Sequence, residues 1–259
     1  MIKYKLCLVG YPLKKSLSPI IFKKIATLCN KEIEFDLIEK KYINPLKILS
    51  LDYNGFFITL PYKKVFYDYT IPDTIAKKLK IINCIKKHKN NFYSTNTDYK
   101  ALLSLSSKVN FKNKTATIFG NGKTAYISAF FLIKKGVKKI RISARNHENS
   151  KEIINLIRKH SIKYEILQFP QIKDSNILIN ATPLGMYFNK KIEIKDSIDF
   201  VIDFAYNIHE TDLIKSCIKN NIKHISGINI LVIQALYGFK FITSLDIKKY
   251  YKNIIEELI

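Results

Sequence analysis

Tryptophan is absent from this sequence of 259 residues, and arginine occurs only at Arg141, Arg145 and Arg158. The shortage of arginine matters because the formal net charge is +23, from 44 lysines and arginines against 21 aspartates and glutamates. Proteins that read nucleic acids lean on the bidentate guanidinium fork. Here the positive charge is almost all lysine and is spread along the whole chain, which reads as solvated surface in a sequence drifted toward Ile, Lys and Asn. No specific nucleic-acid partner is expected, although a positive field favours phosphorylated or carboxylated small molecules. Cys7, Cys29, Cys84 and Cys217 stand far apart without a C-x-x-C, and His88, His147, His160, His209 and His224 make no ligand-spaced pair with them. Neither a disulfide framework nor a zinc site is indicated, no metal is expected, and a reducing cytoplasm is the expected location. No apolar run approaches the roughly 18 residues of a membrane span. The N-terminus has neither the long apolar core nor the small-residue cleavage site of a signal peptide. Internal repeats and low-complexity linkers are missing as well.

What is present is an alternation of apolar strand-length runs and helical patterns, with 47% hydrophobic residues to build a core. Strands are expected at Lys5–Val9, Glu34–Ile38, Gly55–Thr59, Phe92–Thr95, Ala116–Phe119, Ile140–Ser143, Tyr164–Leu167, Ile177–Ile179 and Phe200–Asp203. Helices are expected at Pro19–Cys29, Pro45–Leu51, Asp98–Ser106, Thr124–Lys135, Lys151–His160, Thr211–Asn220, Ile230–Ser244 and near Ile247–Leu258. Such alternation argues an α/β fold with largely parallel sheets. A boundary near Asp98–Lys114 divides the chain into two domains. The C-terminal helices are expected to fold back on the first half, giving residues 1–98 plus about 230–259, and 99–229.

Two turns carry chemistry. Gly10-Tyr-Pro-Leu-Lys-Lys-Ser16-Leu-Ser18-Pro19 ends an apolar strand and offers two hydroxyls at a helix start, with Ser18 as the expected N-cap ahead of Pro19. Backbone N–H groups point outward there and suit a carboxylate-bearing ligand. Gly120-Asn121-Gly122-Lys123-Thr124-Ala125 follows a strand and opens an apolar helix, the setting a dinucleotide-binding G-x-G-x-x-A requires. The first glycine permits the turn, the second admits a pyrophosphate, and Ala125 allows close helix packing. The next strand ends in Ala144-Arg145-Asn146. An NAD site carries an acid at this point, whereas an arginine suits a 2′-phosphate, so Arg145 favours NADP.

With these turns in place, the chain resembles shikimate dehydrogenase nearly from end to end, through several separated motifs in family order. The resemblance implies an N-terminal α/β substrate domain, a Rossmann-type doubly wound NADP domain, and reversible reduction of 3-dehydroshikimate with NADPH in aromatic amino-acid biosynthesis. Ser16 and Ser18 take the place of the serines that bind the substrate carboxylate, with Lys15 where the family has His. Phe57-Ile-Thr59-Leu-Pro61-Tyr-Lys63 resembles N-V-T-x-P-x-K, which makes Thr59 a substrate ligand and Lys63 the catalytic lysine. A lysine ammonium suits the task because it donates a proton to a ketone oxygen as hydride arrives. Ile82-Asn83-Cys84 is similar to V-N-T, which makes Asn83 a substrate ligand. Thr95-Asn96-Thr97-Asp98 is similar to N-T-D-G, so Asp98 becomes the catalytic partner of Lys63 and a substrate ligand. Asp98 also reads as the N-cap of the helix that follows.

In the nucleotide half, Asn180-Ala-Thr182-Pro-Leu-Gly185-Met186 resembles I-N-A-T-x-x-G-M, and Asp203-Phe204-Ala-Tyr206 resembles D-x-x-Y. These matches set Thr182 and Phe204 near the cofactor and Tyr206 near the substrate. Gly227-Ile-Asn-Ile-Leu231-Val-Ile-Gln234-Ala matches G-x-x-M-L-x-x-Q-A, with Gly227 by the nicotinamide and Gln234 on substrate hydroxyls. Gly120, Asn121, Gly122, Lys123, Thr124, Ala144, Arg145 and Asn149 complete the expected cofactor set. Departures from the family are Phe57 for Asn, Cys84 for Thr, Tyr99 for Gly, Lys123 for Gly, Ala144 for Asn and Asn149 for a basic residue, with Lys151 able to compensate. The expected partner is shikimate or 3-dehydroshikimate, with no membrane and a homodimer as the candidate assembly. Two alternatives stand beside this reading: a quinate/shikimate dehydrogenase using NAD, and a drifted shikimate-binding protein with little turnover.

Overall fold

The computed structural model describes residues 3–186, 192–207 and 209–258, and its backbone divides into two units, Met1–Ala101 with Leu231–Leu258, and Leu102–Ile230. The first unit opens with β1 (Lys3–Gly10), α1 (Ser18–Cys29), β2 (Glu32–Glu39), α2 (Pro45–Leu49) and β3 (Gly55–Ile58). It continues with β4 (Ile71–Pro72), α3 (Thr74–Leu79), β5 (Cys84–His88), β6 (Asn91–Thr95) and α4 (Thr97–Leu105), whose last turn passes into the second unit. The second unit holds β7 (Thr115–Phe119), α5 (Lys123–Lys134), β8 (Lys139–Ala144), α6 (Lys151–Lys159), β9 (Lys163–Gln168), β10 (Ile177–Asn180), β11 (Phe200–Asp203), α7 (Asp212–Lys219) and β12 (Lys223–Ile225). Helix α8 (Gly227–Thr243) begins there and leads to α9 (Tyr251–Glu256). Among the described residues no helix is long and apolar enough to cross a membrane.

The sheet of the first unit runs β2-β1-β3-β5-β6-β4. Strand β1 is parallel to β2 and β3, while β5 is antiparallel to both β3 and β6. The expectation of largely parallel sheets is therefore corrected for this unit, whose sheet is mixed. Strand β5 escaped the sequence reading because Cys84-Ile-Lys-Lys-His holds only two apolar residues, too few to show alternation. In β1 the run Leu6-Cys7-Leu8-Val9 is buried throughout, as a strand covered on both faces requires. Strand β3 splits its aromatics between faces. Phe56 joins a core of Val9, Leu49, Phe66 and Ile85. Phe57 lies 4.8 Å from Phe22, centroid to centroid, and Phe22 stacks on Phe35 at 4.3 Å.

The second sheet runs β12-β11-β10-β7-β8-β9 and is parallel throughout. Counted from its first strand, β7, this is the 3-2-1-4-5-6 order of a doubly wound dinucleotide fold, with its switch point between β7 and β10. The first sheet has a comparable reversal, because β2 and β3 flank β1 on opposite sides. In open α/β sheets, ligands bind in the crevice beyond the carboxyl ends of the strands at such a reversal.

Candidate active site

In the first unit the loops that leave the carboxyl ends of β1 and β3 meet, and the Tyr11 amide donates to the Leu60 carbonyl at 2.8 Å. Ser16 closes a turn by donating its amide to the Leu13 carbonyl at 2.8 Å, and its Oγ accepts the Ser18 amide at 3.3 Å. This corrects the expected Ser18 cap. Helix α1 already includes Ser18, the capping position falls on Leu17, and no side chain caps it. The Leu13–Ser16 turn tightens the approach, so the helix starts one residue earlier and Ser16 takes the Ser18 amide.

Beyond β3 the chain turns with the Tyr62 amide donating to the Thr59 carbonyl at 2.9 Å, and the Lys63 carbonyl accepts the Ile82 amide at 2.9 Å. These bonds turn Lys63 inward, where its Nζ donates to Asp98 Oδ2 at 2.6 Å. Both side chains are nearly enclosed, 10% and 12% exposed. The reading of Asp98 as N-cap is corrected here as well. Asn96, fully buried, accepts the Tyr99 amide on Oδ1 at 2.9 Å and donates from Nδ2 to the Ile81 carbonyl at 3.0 Å.

Asn83 and Gln234 are joined through a residue absent from the expected set. Thr97 Oγ1 accepts from Asn83 Nδ2 at 2.9 Å and lies 3.1 Å from Gln234 Oε1, while the Thr97 amide donates to Asn83 Oδ1 at 2.7 Å. Its position beside Asp98 was the available signal. Asp73 was also missed. It caps α3 and accepts Thr95 Oγ1 at 2.6 Å and Lys100 Nζ at 3.0 Å. Burial raises the Asp73 carboxyl, but the Ala76 amide, Thr95 and Lys100 together hold it below the ordinary carboxylate range.

In the second unit, Gly120 stands at φ +96, and a Cβ there would sit 3.0 Å from the Thr182 methyl and 3.2 Å from the Ala181 carbonyl. Only glycine suits both the turn and this contact across the switch point. A Cβ on Gly122 would meet nothing within 4 Å, and no side chain caps the start of α5. An open face beside free helix amides fits a pyrophosphate. Ala125 is fully buried against its neighbours. The Thr124 carbonyl accepts Ser128 Oγ at 2.9 Å. Asn121 Nδ2 donates to the Asn146 carbonyl at 2.6 Å, and Lys123 Nζ to Glu152 Oε2 at 2.5 Å. Ala144 is buried at the end of β8, whereas Arg145 and Asn149 are exposed beyond it. The donors at this end of β8 fit the phosphorylated ribose of a dinucleotide.

Thr182 Oγ1 donates to Asn180 Oδ1 at 2.6 Å, and Asn180 Nδ2 donates to Asp203 Oδ1 at 2.8 Å. Asp203 is fully buried and also accepts the Ala205 amide and Thr211 Oγ1, at 3.0 and 2.6 Å. Burial pushes its carboxyl up to about 6 despite these donors. Phe204 and Tyr206 follow, both half-buried. A Cβ on Gly227 would overlap the Ala205 carbonyl, so the start of α8 requires glycine to pass this strand end. The first unit thus gathers Lys63 with Asp98, and Asn83 with Thr97 and Gln234. Tyr206 belongs to the second unit.

Comparison with known proteins follows this division. A family described as shikimate dehydrogenase substrate binding domain matches residues 8–85, and one described as shikimate / quinate 5-dehydrogenase matches residues 103–225. The shikimate dehydrogenase (NADP(+)) of Prochlorococcus marinus (strain MIT 9515) is 30% identical over 263 residues, spanning 92% of this chain and 91% of that protein. Among solved structures, shikimate dehydrogenase 1 from Peptoclostridium difficile superposes with a TM-score of 0.84 at 27% identity, covering 98% of this chain and 97% of that one. A shikimate dehydrogenase in complex with NADP+ gives a TM-score of 0.83 at 26% identity, covering 99% and 96%.

Proposed function

The chain belongs to the shikimate dehydrogenase family, and we propose that it catalyses the reversible NADPH-dependent reduction of 3-dehydroshikimate to shikimate. The observation that carries this reading is the enclosed Lys63–Asp98 pair at 2.6 Å, beside the hydrogen-bonded chain Asn83–Thr97–Gln234. An ammonium held at the carboxyl end of a sheet donates a proton to a ketone oxygen as that oxygen gains charge. Bound NADPH supplies the hydride that completes the reduction. In the reverse direction Lys63 takes the proton back from the hydroxyl. Asp98 orients the ammonium and accepts a neighbouring substrate hydroxyl on its remaining lone pairs. Ser16 and Ser18 hold the substrate carboxylate, and Thr59, Asn83 and Gln234 hold ring hydroxyls. Gly120, Gly122 and the start of α5 receive the pyrophosphate, and Arg145 the 2′-phosphate.

Phe57, Tyr99 and Lys123 are the departures that motivate a drifted binding protein; the first two are buried at 3% and 4% exposure, so core packing accounts for them. Arg145 in place of an acid argues against an NAD-preferring quinate enzyme. The same reading locates the enzyme in the cytoplasm, with a homodimer as the assembly for light scattering to test. A steady-state assay with shikimate and NADP+ tests the function. Turnover with both is expected. Tight shikimate binding without turnover would overturn the enzyme reading, and a preference for quinate with NAD would replace the substrate assignment.

A further inference from the structure

The segment that carries Arg145 folds on itself after β8. The Ser150 amide donates to the His147 carbonyl at 3.0 Å, and the Glu148 amide to Asn146 Oδ1 at 2.9 Å. Arg145 at its head is exposed and makes no hydrogen bond or ion pair among the described residues, so the backbone beneath it sets its aim. A side chain of the glycine loop holds that backbone in place. Asn121, between Gly120 and Gly122, donates from Nδ2 to the Asn146 carbonyl at 2.6 Å and to Ser150 Oγ at 3.2 Å. A carbonyl only accepts, which turns the amide nitrogen toward the segment, and that nitrogen carries a hydrogen for each acceptor. The Gly120 amide donates to the Ser143 carbonyl at 2.9 Å, so the two chains run together up to the point where Asn121 spans them. Lys123 and Glu152 brace the first turns of α5 and α6 at 2.5 Å, a step beyond this loop.

We propose that Asn121 is a positioning residue for cofactor selectivity: by tying Asn146 and Ser150 to the glycine loop, it holds Arg145 where a 2′-phosphate is met. This rests on the NADP reading above. The amide hydrogens of Asn121 are engaged with the protein, so it acts on the ligand through Arg145 rather than by touching a phosphate. Ala144, the residue before Arg145, is buried and offers no side-chain donor to share the task. Without Asn121 the loop must be ordered by the ligand itself, and that cost falls on the 2′-phosphate. A 5′-phosphate on the glycine loop and the start of α5 is spared it.

Titration calorimetry with adenosine 2′,5′-bisphosphate and adenosine 5′-monophosphate tests this, because the two probes differ only in the 2′-phosphate. The parent is expected to prefer the bisphosphate. Asn121 lies outside the left-handed backbone region, so alanine fits its position. Asn121→Ala is expected to weaken the bisphosphate about fivefold, the scale of a lost hydrogen bond, and the monophosphate less than about twofold. In an Arg145→Gln background the same substitution is expected to change neither probe by more than about twofold, since the residue it acts through is gone. Equal weakening of both probes by Asn121→Ala would place its role in the glycine loop and overturn the proposal. An unchanged bisphosphate affinity, or an undiminished effect in the Arg145→Gln background, would overturn it as well. A parent that binds both probes equally would instead remove the NADP reading, and the proposal with it.

Discussion

Asn96 Oδ1 accepts the Tyr99 amide at 2.9 Å, which places the cap of α4 on Asn96 and leaves Asp98 to serve Lys63. A carboxylate that capped its own helix would aim its oxygens back at the first-turn amides, away from the ammonium. Asn96 removes that competition, and its Nδ2 ties the same junction to Ile81. Asn96→Ala is expected to lower the unfolding free energy by about 1–2 kcal/mol in a urea titration, the range of a lost cap. It should also reduce turnover, because Asp98 becomes free to cap. A variant with unchanged urea midpoint and activity would remove this role.

Lys63→Met separates chemistry from stability. Loss of the proton donor is expected to reduce turnover by about 10²–10⁴-fold. The melting temperature should fall too, since Asp98 keeps a nearly enclosed charge without its partner. Adding Asp98→Asn to the same chain is expected to recover the melting temperature while activity stays lost. Recovery of activity in the double variant would show that the pair is structural.

The loops of the candidate site were legible because each follows a strong apolar run. Leu6–Val9 announces the Gly10–Ser18 turn, and Ala116–Phe119 announces the glycine loop. The parallel pairing of the second sheet follows from that alternation of strand and helix, and its doubly wound order from the family resemblance. What stayed hidden depends on a third residue. Ser18 and Asp98 satisfy the local rule for an N-cap, and only the fold reveals that Ser16 accepts the amide of Ser18 itself and that Asn96 caps α4 through the Tyr99 amide. Thr97 joins Asn83 to Gln234, which lies 137 positions further on, and no local pattern carries that contact. Phe57 reads as a lost polar ligand until Phe22 and Phe35 surround it.

Thr97→Val tests the hydroxyl between the two amides. Valine keeps the shape and the backbone bond to Asn83 Oδ1, but leaves Asn83 Nδ2 without its acceptor. An unsatisfied buried donor costs about 1–3 kcal/mol, so KM for shikimate is expected to rise about tenfold with a smaller change in kcat. Thr97→Ser should stay close to the parent. Serine and valine variants with the same KM would show that the hydroxyl is dispensable.

Gly238 explains how Phe57 is accommodated. A Cβ at this position in α8 would overlap the edge of the Phe57 ring. Alanine inside a helix ordinarily adds about 1 kcal/mol over glycine. Gly238→Ala is nevertheless expected to destabilise by about 1–3 kcal/mol, because Phe57 is held by Phe22 and cannot yield. Phe57→Leu in the same chain should return part of the loss. A higher melting temperature for Gly238→Ala alone would contradict this packing.

Asp203 should make the stability of the second unit depend on pH. Burial pushes its carboxyl from 3.8 up to about 6, Glu210 adds to the rise, and Thr211, Ala205 and Asn180 oppose it. The folded chain therefore holds this proton more tightly than the unfolded chain does. Its contribution is present in full below about pH 4 and is lost as pH rises through 6, amounting to about 3 kcal/mol for a shift of this size. Asp203→Asn removes the titration. It also turns an amide N–H either on Thr211 Oγ1, which donates to Oδ2, or on Asn180 and the Ala205 amide, which donate to Oδ1, so the variant should be the less stable chain at low pH. Urea unfolding from pH 4.5 to 7.5 is expected to show the gap between parent and variant narrowing as pH rises, since only the parent loses the protonated form. A gap that stays constant across that window would mean that Asp203 is already ionised at its lower end, with its three donors outweighing the burial.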